Sequence, residues 1–186
     1  MRTFLAIPVP EEIKQFAAEK KASLSLMKPD VKWVEYENYH LTLKFLGDIM
    51  PDLINQINYN MNLVGQSSPP FELAMKGIGF FPNKRRPRVI WLGMDGELEK
   101  AEFLGERVDA YLSTLRFEAE NKRSFHLTLG RVRSEHKQDE LLRKAAELNK
   151  TVEEKRFIVS KFHLMESRLS PAGPQYSVLS TFNLEG

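Results

Sequence analysis

The chain has 186 residues, 42% hydrophobic and 28% charged, which is the make-up of one ordinary compact domain. Its net charge of +2 is too slight to name a nucleic-acid partner by itself, though it suits a phosphate-bearing ligand. It contains no cysteine, which excludes disulfides, thiolate metal sites and a cysteine nucleophile.

From the N-terminus, Arg2–Val9 reads as a buried strand, with Phe4, Leu5, Ile7 and Val9 as its apolar run. That run is too short for a signal-peptide core. Nowhere do about 18 apolar residues follow one another, so no membrane span and a cytoplasmic location are expected. Pro10 starts a helix with Glu11 and Glu12 in its first turn and Ile13, Phe16, Ala17, Leu24 and Met27 on one face. Val31–Val34 is a short strand, "EYEN" a turn, and Tyr39–Leu46 the next strand. Pro51 opens a second helix along Leu53, Ile57, Met61 and Val64, with Gly65 as its stop and "QSSPP" as a loop. Phe71–Met75 alternates as a strand does, and "GIGFFPNKRRPR" reads as a long hairpin or exposed loop.

After that loop the elements repeat. Val89–Met94 is a strand, and residues 97–115 form a helix with Leu98, Ala101, Leu104, Val108, Leu112 and Leu115 on one face. A short strand near Leu115–Ala119, the turn "ENKRS", the strand Phe125–Val132, a helix near 138–149 and the strand Phe157–Leu164 follow. Tyr176–Leu184 closes the chain after "SPAGP". The 86-residue step from His40 to His126 pairs "YHLTL" with "FHLTL", Arg2 with Arg88, Leu26 with Leu112 and Phe71 with Phe157. This is an internal duplication. The expected fold is α+β: two pseudo-symmetric lobes, each an antiparallel sheet with outer helices, and an active site in the cleft between them. The lobes are expected from halves of about 1–76 and 88–186 of a single domain, joined by a basic loop at 77–87.

The repeated pentapeptide carries the chemistry. Residues i and i+2 of a strand share a face, so His40 and Thr42 lie together opposite Leu41 and Leu43, as do His126 and Thr128 opposite Leu127 and Leu129. The leucines suit packing on helices, which leaves the His/Thr faces to line the cleft. Two imidazoles, titrating near pH 6.5, supply a general acid and a general base on opposite sides of one reacting atom. Threonine hydroxyls can donate to the non-bridging oxygens of a phosphate between them, the layout that in-line displacement at phosphorus needs. One histidine in an amphipathic strand is usually a satisfied surface residue; the same tetrapeptide at matched places of a duplicated fold reverses that reading. His136 and His163 have no such context and read as structural or surface residues. A zinc site would want a third ligand at ligand-like spacing, and none stands near either copy.

With these residues in view, the sequence resembles the 2H phosphoesterases, defined by two His-x-Thr-x motifs in a duplicated α+β fold, and within them the RNA 2′,3′-cyclic phosphodiesterases, also called 2′-5′ RNA ligases. The stretches that carry the likeness span nearly the whole chain: "RTFLAIPVPEE", "WVEYENYHLTLKFLGD", "GFFPNKRRPRVIWLG", "SFHLTLGRV" and "LMESRLSPAGPQYSVL". The resemblance implies His40 as proton donor, His126 as proton acceptor, and Thr42 and Thr128 holding the phosphate. Arg131 stands where the family commonly has an arginine; it either adds charge near the phosphate or is a solvated strand-end residue. Phe125 departs from the proline often found there. The implied reaction is attack of water on a terminal 2′,3′-cyclic phosphate to leave a 2′-phosphomonoester. With an RNA 5′-hydroxyl as nucleophile, the same site would join ends through a 2′-5′ bond. Ring strain drives it, so no cofactor and no ATP are expected, and the sequence has no G-x-x-x-x-G-K-[ST] signature. The implied partners are RNA ends or nucleotides bearing a 2′,3′-cyclic phosphate, met by a monomer.

Two weaker features stay open at this level. The basic stretch Lys84–Arg88 either tracks an RNA backbone or is a solvated hairpin tip. Tyr39, Phe45, Phe80 and Phe81 are either core or base-stacking aromatics, with core the commoner fate. Two other functions compete with the leading one: a related enzyme on another small phosphoester, such as a 2′-5′ oligonucleotide or a cyclic phosphate of ADP-ribose, and a non-catalytic RNA-end-binding module. A pure binder needs donors but no acid–base pair, which disfavours the last.

Overall fold

A computed structural model describes residues 1–151 and 153–186. The strands are β1 (Arg2–Pro8), β2 (Val31–Trp33), β3 (His40–Asp48), β4 (Phe71–Phe81), β5 (Val89–Gly96), β6 (His126–Val132), β7 (Lys155–Val159), β8 (Lys161–Ser170) and β9 (Gly173–Asn183). The helices are α1 (Glu11–Ser25), α2 (Ile54–Gln66), α3 (Leu98–Leu112) and α4 (Gln138–Asn149). The strands run in the order β7-β4-β5-β6-β3-β1-β8-β9, with β2 added beside β6. These strands pair antiparallel throughout, and the centre of the sheet is held by one residue pair, Leu41 with Leu127. That bridge divides the sheet into two lobes, as the duplication predicts.

The lobes do not separate at the middle of the sequence. The first half's last strand, β4, pairs with β5 of the second half, while β8 of the second half pairs with β1 of the first. Each half therefore lends a late strand to the other. The stretch expected as a joining loop from residue 77 is strand as far as Phe81, because Ile78, Gly79, Phe80 and Phe81 pair with β5; only residues 82–88 form the connection.

The leucine face makes the core. Leu41, Leu43, Leu127 and Leu129 are buried in one cluster with Ile13 and Phe16 of α1, Ile57 and Met61 of α2, Leu104 and Val108 of α3, and Leu141 of α4. Burying a side chain of this size is worth about 1.5–3 kcal/mol. Gly65, read from sequence as a helix stop, lies inside α2, where a side chain would collide with the Asn183 carbonyl. Close packing of α2 on the end of β9 explains it. The strand expected at Leu115–Ala119 is absent: Ser113–Leu115 is a short 3₁₀ turn, and Arg116 turns left-handed at φ 69°. The strand expected at Phe157–Leu164 breaks at Ser160 into β7 and β8, each paired with a different lobe.

Candidate active site

β3 and β6 are antiparallel neighbours that touch in register only at Leu41 and Leu127. One step from that pair in either direction, His40 stands across from Thr128 and Thr42 across from His126. All four side chains leave the sheet on the surface opposite the leucines. The lobes join edge to edge, so the two His/Thr faces continue one surface. His40, Thr42, His126 and Thr128 are all partly exposed there.

Each ring turns its Nδ1 toward the residue two places before it. His40 Nδ1 lies 2.7 Å from the Asn38 carbonyl oxygen, which can only accept, so Nδ1 carries the proton and Nε2 faces outward, 3.1 Å from Thr42 Oγ1. Asn38 is buried and its side-chain amide donates to the Pro174 carbonyl at 2.9 Å, which ties this arrangement to β9. His126 likewise has its Nδ1 facing the residue two places back, with the Ser124 hydroxyl 3.4 Å away. Aromatic rings close in on both. Phe4 and Tyr176 pack against His40 with centroids 5.1 and 5.4 Å away, and Phe81 and Trp91 against His126 at 5.2 and 6.2 Å.

This packing sets the proton affinities. Burial pushes the His40 imidazole below its ordinary pKa, the Asn38 hydrogen bond works against that, and the charge of His126 adds to the lowering. For His126, burial again lowers it, the Ser124 backbone bond opposes, and the Arg131 guanidinium lowers it further. The charge of one ring on the other means that they share one electrostatic environment.

Arg131 reaches this surface through a β-bulge. Simple alternation from His126 would put residue 131 on the leucine face. Ile90 pairs with Gly130 and Trp91 with Thr128, so Leu129 is an extra residue that reverses the phase and brings Arg131 round to the histidine face. Its charge is felt by both His126 and Tyr176. The first copy has the same bulge: Leu5 pairs with Lys44 and Ala6 with Thr42, leaving Leu43 extra. Phe45 is thereby the positional mate of Arg131.

The other residues singled out from sequence divide by burial. Tyr39 and Phe80 are core, Phe45 is 67% exposed, and Phe81 is 36% exposed beside His126. His136 is exposed, and His163 meets Thr181 Oγ1 at 3.0 Å in the β8–β9 ladder. Lys84, Arg85, Arg86 and Arg88 are exposed on the 82–88 connection. Phe125 is buried and leads directly into β6. Sequence reasoning missed Asn38, Ser124, Phe4, Trp91 and Tyr176. Only the first two carried a signal, since each stands two residues before its histidine. Among the described residues, no three His, Cys, Asp or Glu side chains gather as metal ligands would.

Comparison with known proteins gives this architecture its class, that of the phosphoesterases. The chain belongs to the LigT-like phosphoesterase family: the family description, "LigT like Phosphoesterase", matches residues 7–91 and again 93–176, one copy for each half. It is 34% identical over 184 residues to a Methanothermobacter thermautotrophicus protein named RNA 2′,3′-cyclic phosphodiesterase, covering 99% of both chains. A Thermotoga maritima protein of the same name is 35% identical, over 100% of this chain and 97% of that one. A crystal structure from Thermus thermophilus superposes with a TM-score of 0.82 at 26% identity, covering 100% and 99% of the two chains. Apo E. coli LigT shares the fold with a TM-score of 0.78 at 22% identity, over 100% and 98%.

Proposed function

We propose that this protein hydrolyses terminal 2′,3′-cyclic phosphates of RNA to 2′-phosphomonoesters, with His40 and His126 as the acid–base pair. The observation that carries the reading is the matched placement of both imidazoles: each Nδ1 meets the residue two places back, Asn38 through its carbonyl and Ser124 through its hydroxyl, which leaves two Nε2 atoms and two threonine hydroxyls on one surface. The names of the relatives support the substrate class.

In this mechanism the phosphate lies between the strands, with its non-bridging oxygens taking hydrogen bonds from Thr42 and Thr128 and charge from Arg131. Neutral His126 takes a proton from water at Nε2 as the water oxygen attacks phosphorus. The P–O3′ bond breaks, and protonated His40 gives its Nε2 proton to the departing O3′. The products are a 2′-phosphomonoester and a free 3′-hydroxyl. Arg131 suits the base role of His126, because a neighbouring cation favours the neutral ring. His40 begins with a depressed proton affinity, and the arriving anionic phosphate raises it, so substrate binding itself loads the acid. An RNA 5′-hydroxyl in place of water gives a 2′-5′ diester by the same proton transfers, without ATP. The acting unit is the whole of residues 1–186 as one domain, working on RNA ends in the cytoplasm.

The test is incubation with a panel of nucleoside and oligonucleotide 2′,3′-cyclic phosphates, with 2′-5′ oligonucleotides and a cyclic phosphate of ADP-ribose beside them, reading the position of phosphate in each product. Release of 2′-phosphate ends, persisting after exhaustive chelation, is the expected result. His40→Ala and His126→Ala should each lose about 10²–10⁴-fold in kcat. Thr42→Ala or Thr128→Ala should lose less, about 1.5–3 kcal/mol of transition-state stabilisation. Near-normal turnover in both histidine variants would sink the acid–base assignment, and turnover only of the other phosphoesters would redirect the substrate.

A further inference from the structure

We propose that Phe45 is a nucleobase-stacking residue that holds the nucleoside of the substrate on the His40 side of the phosphate. This rests on the reaction proposed above. A singly exposed apolar side chain needs no special explanation on most surfaces; the placement of Phe45 sets it apart. The β3 bulge at Leu43 turns residue 45 out of the core and onto the face that carries His40 and Thr42. Phe45 pairs across the ladder with Phe4, ring centroids 6.2 Å apart, and Phe4 in turn lies 5.1 Å from the His40 ring. Phe4 is buried and already satisfied, whereas Phe45, one ring further from the candidate acid, keeps 67% of its surface open. Tyr176, 5.0 Å from Phe4, continues the aromatic row across β9.

The duplication sharpens the inference. The two His-x-Thr copies are matched, both are followed by the same bulge, and both bulges present the residue two places on to the same surface. In the second copy that residue is Arg131, a cation; in the first it is Phe45, an aromatic. A phosphodiester substrate has a matching asymmetry. Its leaving oxygen O3′ belongs to the nucleoside that carries a base, while the nucleophile in hydrolysis is water. With His40 protonating O3′, the nucleoside lies on the Phe45 side, and Arg131 is left to the anionic phosphate and the water. A base has an aromatic face whatever its identity, so such a contact favours nucleotides over simple cyclic phosphates without reading sequence.

The experiment compares two substrates, adenosine 2′,3′-cyclic phosphate and 1-O-methylribose 2′,3′-cyclic phosphate, which keeps the reacting ring and lacks the base. Phe45→Ala should raise KM for the adenosine compound about tenfold, within the range for one base–aromatic stack, with kcat nearly unchanged. KM for the baseless compound should stay within about twofold, and Phe45→Trp should restore the adenosine KM. An unchanged adenosine KM in Phe45→Ala, or an equal rise for both substrates, would overturn the assignment. Failure of the unaltered protein to open either ring would instead defeat the cyclic-phosphodiesterase reading, so the two ideas fail separately.

Discussion

His40 and His126 occupy equivalent places in unequal surroundings, and the inequality fixes an expected pH dependence. Both imidazoles are held below their ordinary pKa, chiefly by burial. The productive free enzyme needs one neutral and one protonated ring, so kcat/KM should trace a bell centred below about pH 6.5. Its limbs belong to the pair and not to either ring alone. In kcat, which reports the bound complex, the alkaline limb should move up, because the phosphate anion favours a protonated ring. Arg131 supplies the means to check the base. Arg131→Gln removes a cation that keeps His126 neutral, so its pKa rises and the acid limb of kcat/KM should shift to higher pH. An acid limb that stays put would show that Arg131 acts only on the phosphate. The four His and Thr positions are visible in the sequence because a strand's two-residue period puts alternate residues on a shared face. The groups that tune them are not: Asn38 is joined to Pro174 and His40 to Tyr176 by pairing that spans most of the chain.

At the level of elements, the bulges are what the sequence conceals most completely. Nothing in "HLTLKF" or "HLTLGR" says that the phase reverses after the second leucine, so regular alternation would leave Arg131 and Phe45 on the wrong face. The same slip sends Lys44 into the core, where its ammonium lies 2.8 Å from Asp109 of α3. Asp109 also receives Arg123 at 3.1 Å and the Glu120 backbone N–H at 3.2 Å. Arg123 donates in addition to the Leu43 carbonyl at 2.9 Å, satisfying the bulge residue itself. This network pins residues 116–125, which include most of the segment expected as a strand, and delivers the chain into β6. Burial pushes the Asp109 carboxyl up, but Lys44, the Glu120 N–H and Arg123 hold it below the usual carboxylate range. Asp109→Ala leaves two cations buried without their shared partner and should cost about 3–5 kcal/mol in urea unfolding. A folded-state pKa below the unfolded one means that the stability from Asp109 is present above about pH 3.9 and lost as pH falls through the lower value. The difference between parent and variant should therefore shrink in strong acid; a cost that does not change with pH would mean that Asp109 acts through packing alone.

Viewed as a whole, the molecule is two copies of one motif that cannot be taken apart along the sequence. Helix positions and most strands are legible from periodicity, since each is a local pattern. The exchange of β4 and β8 between lobes is not, because pairing partners of a strand are set by the rest of the sheet. The exchange has a folding consequence. A fragment ending at residue 87 would keep β1, β3 and β4 but lack β8 beside β1 and β5 beside β4, leaving long unpaired edges and an open leucine face. A fragment starting at residue 88 would lack β1, β3 and β4, the partners of β8, β6 and β7. Neither fragment of 1–87 or 88–186 should show a cooperative thermal transition alone, whereas the two expressed together should reassemble, because the cut falls in the 82–88 connection, which lies outside the strands and is exposed except at Pro87. The intact chain should melt in one step, with circular dichroism and tryptophan fluorescence coincident, since Trp33 and Trp91 lie on strands that both pair with β6. Two separated transitions in the intact chain, or a cooperative melt from either fragment, would show that the lobes fold as independent halves and that the strand exchange contributes little to holding the histidines together.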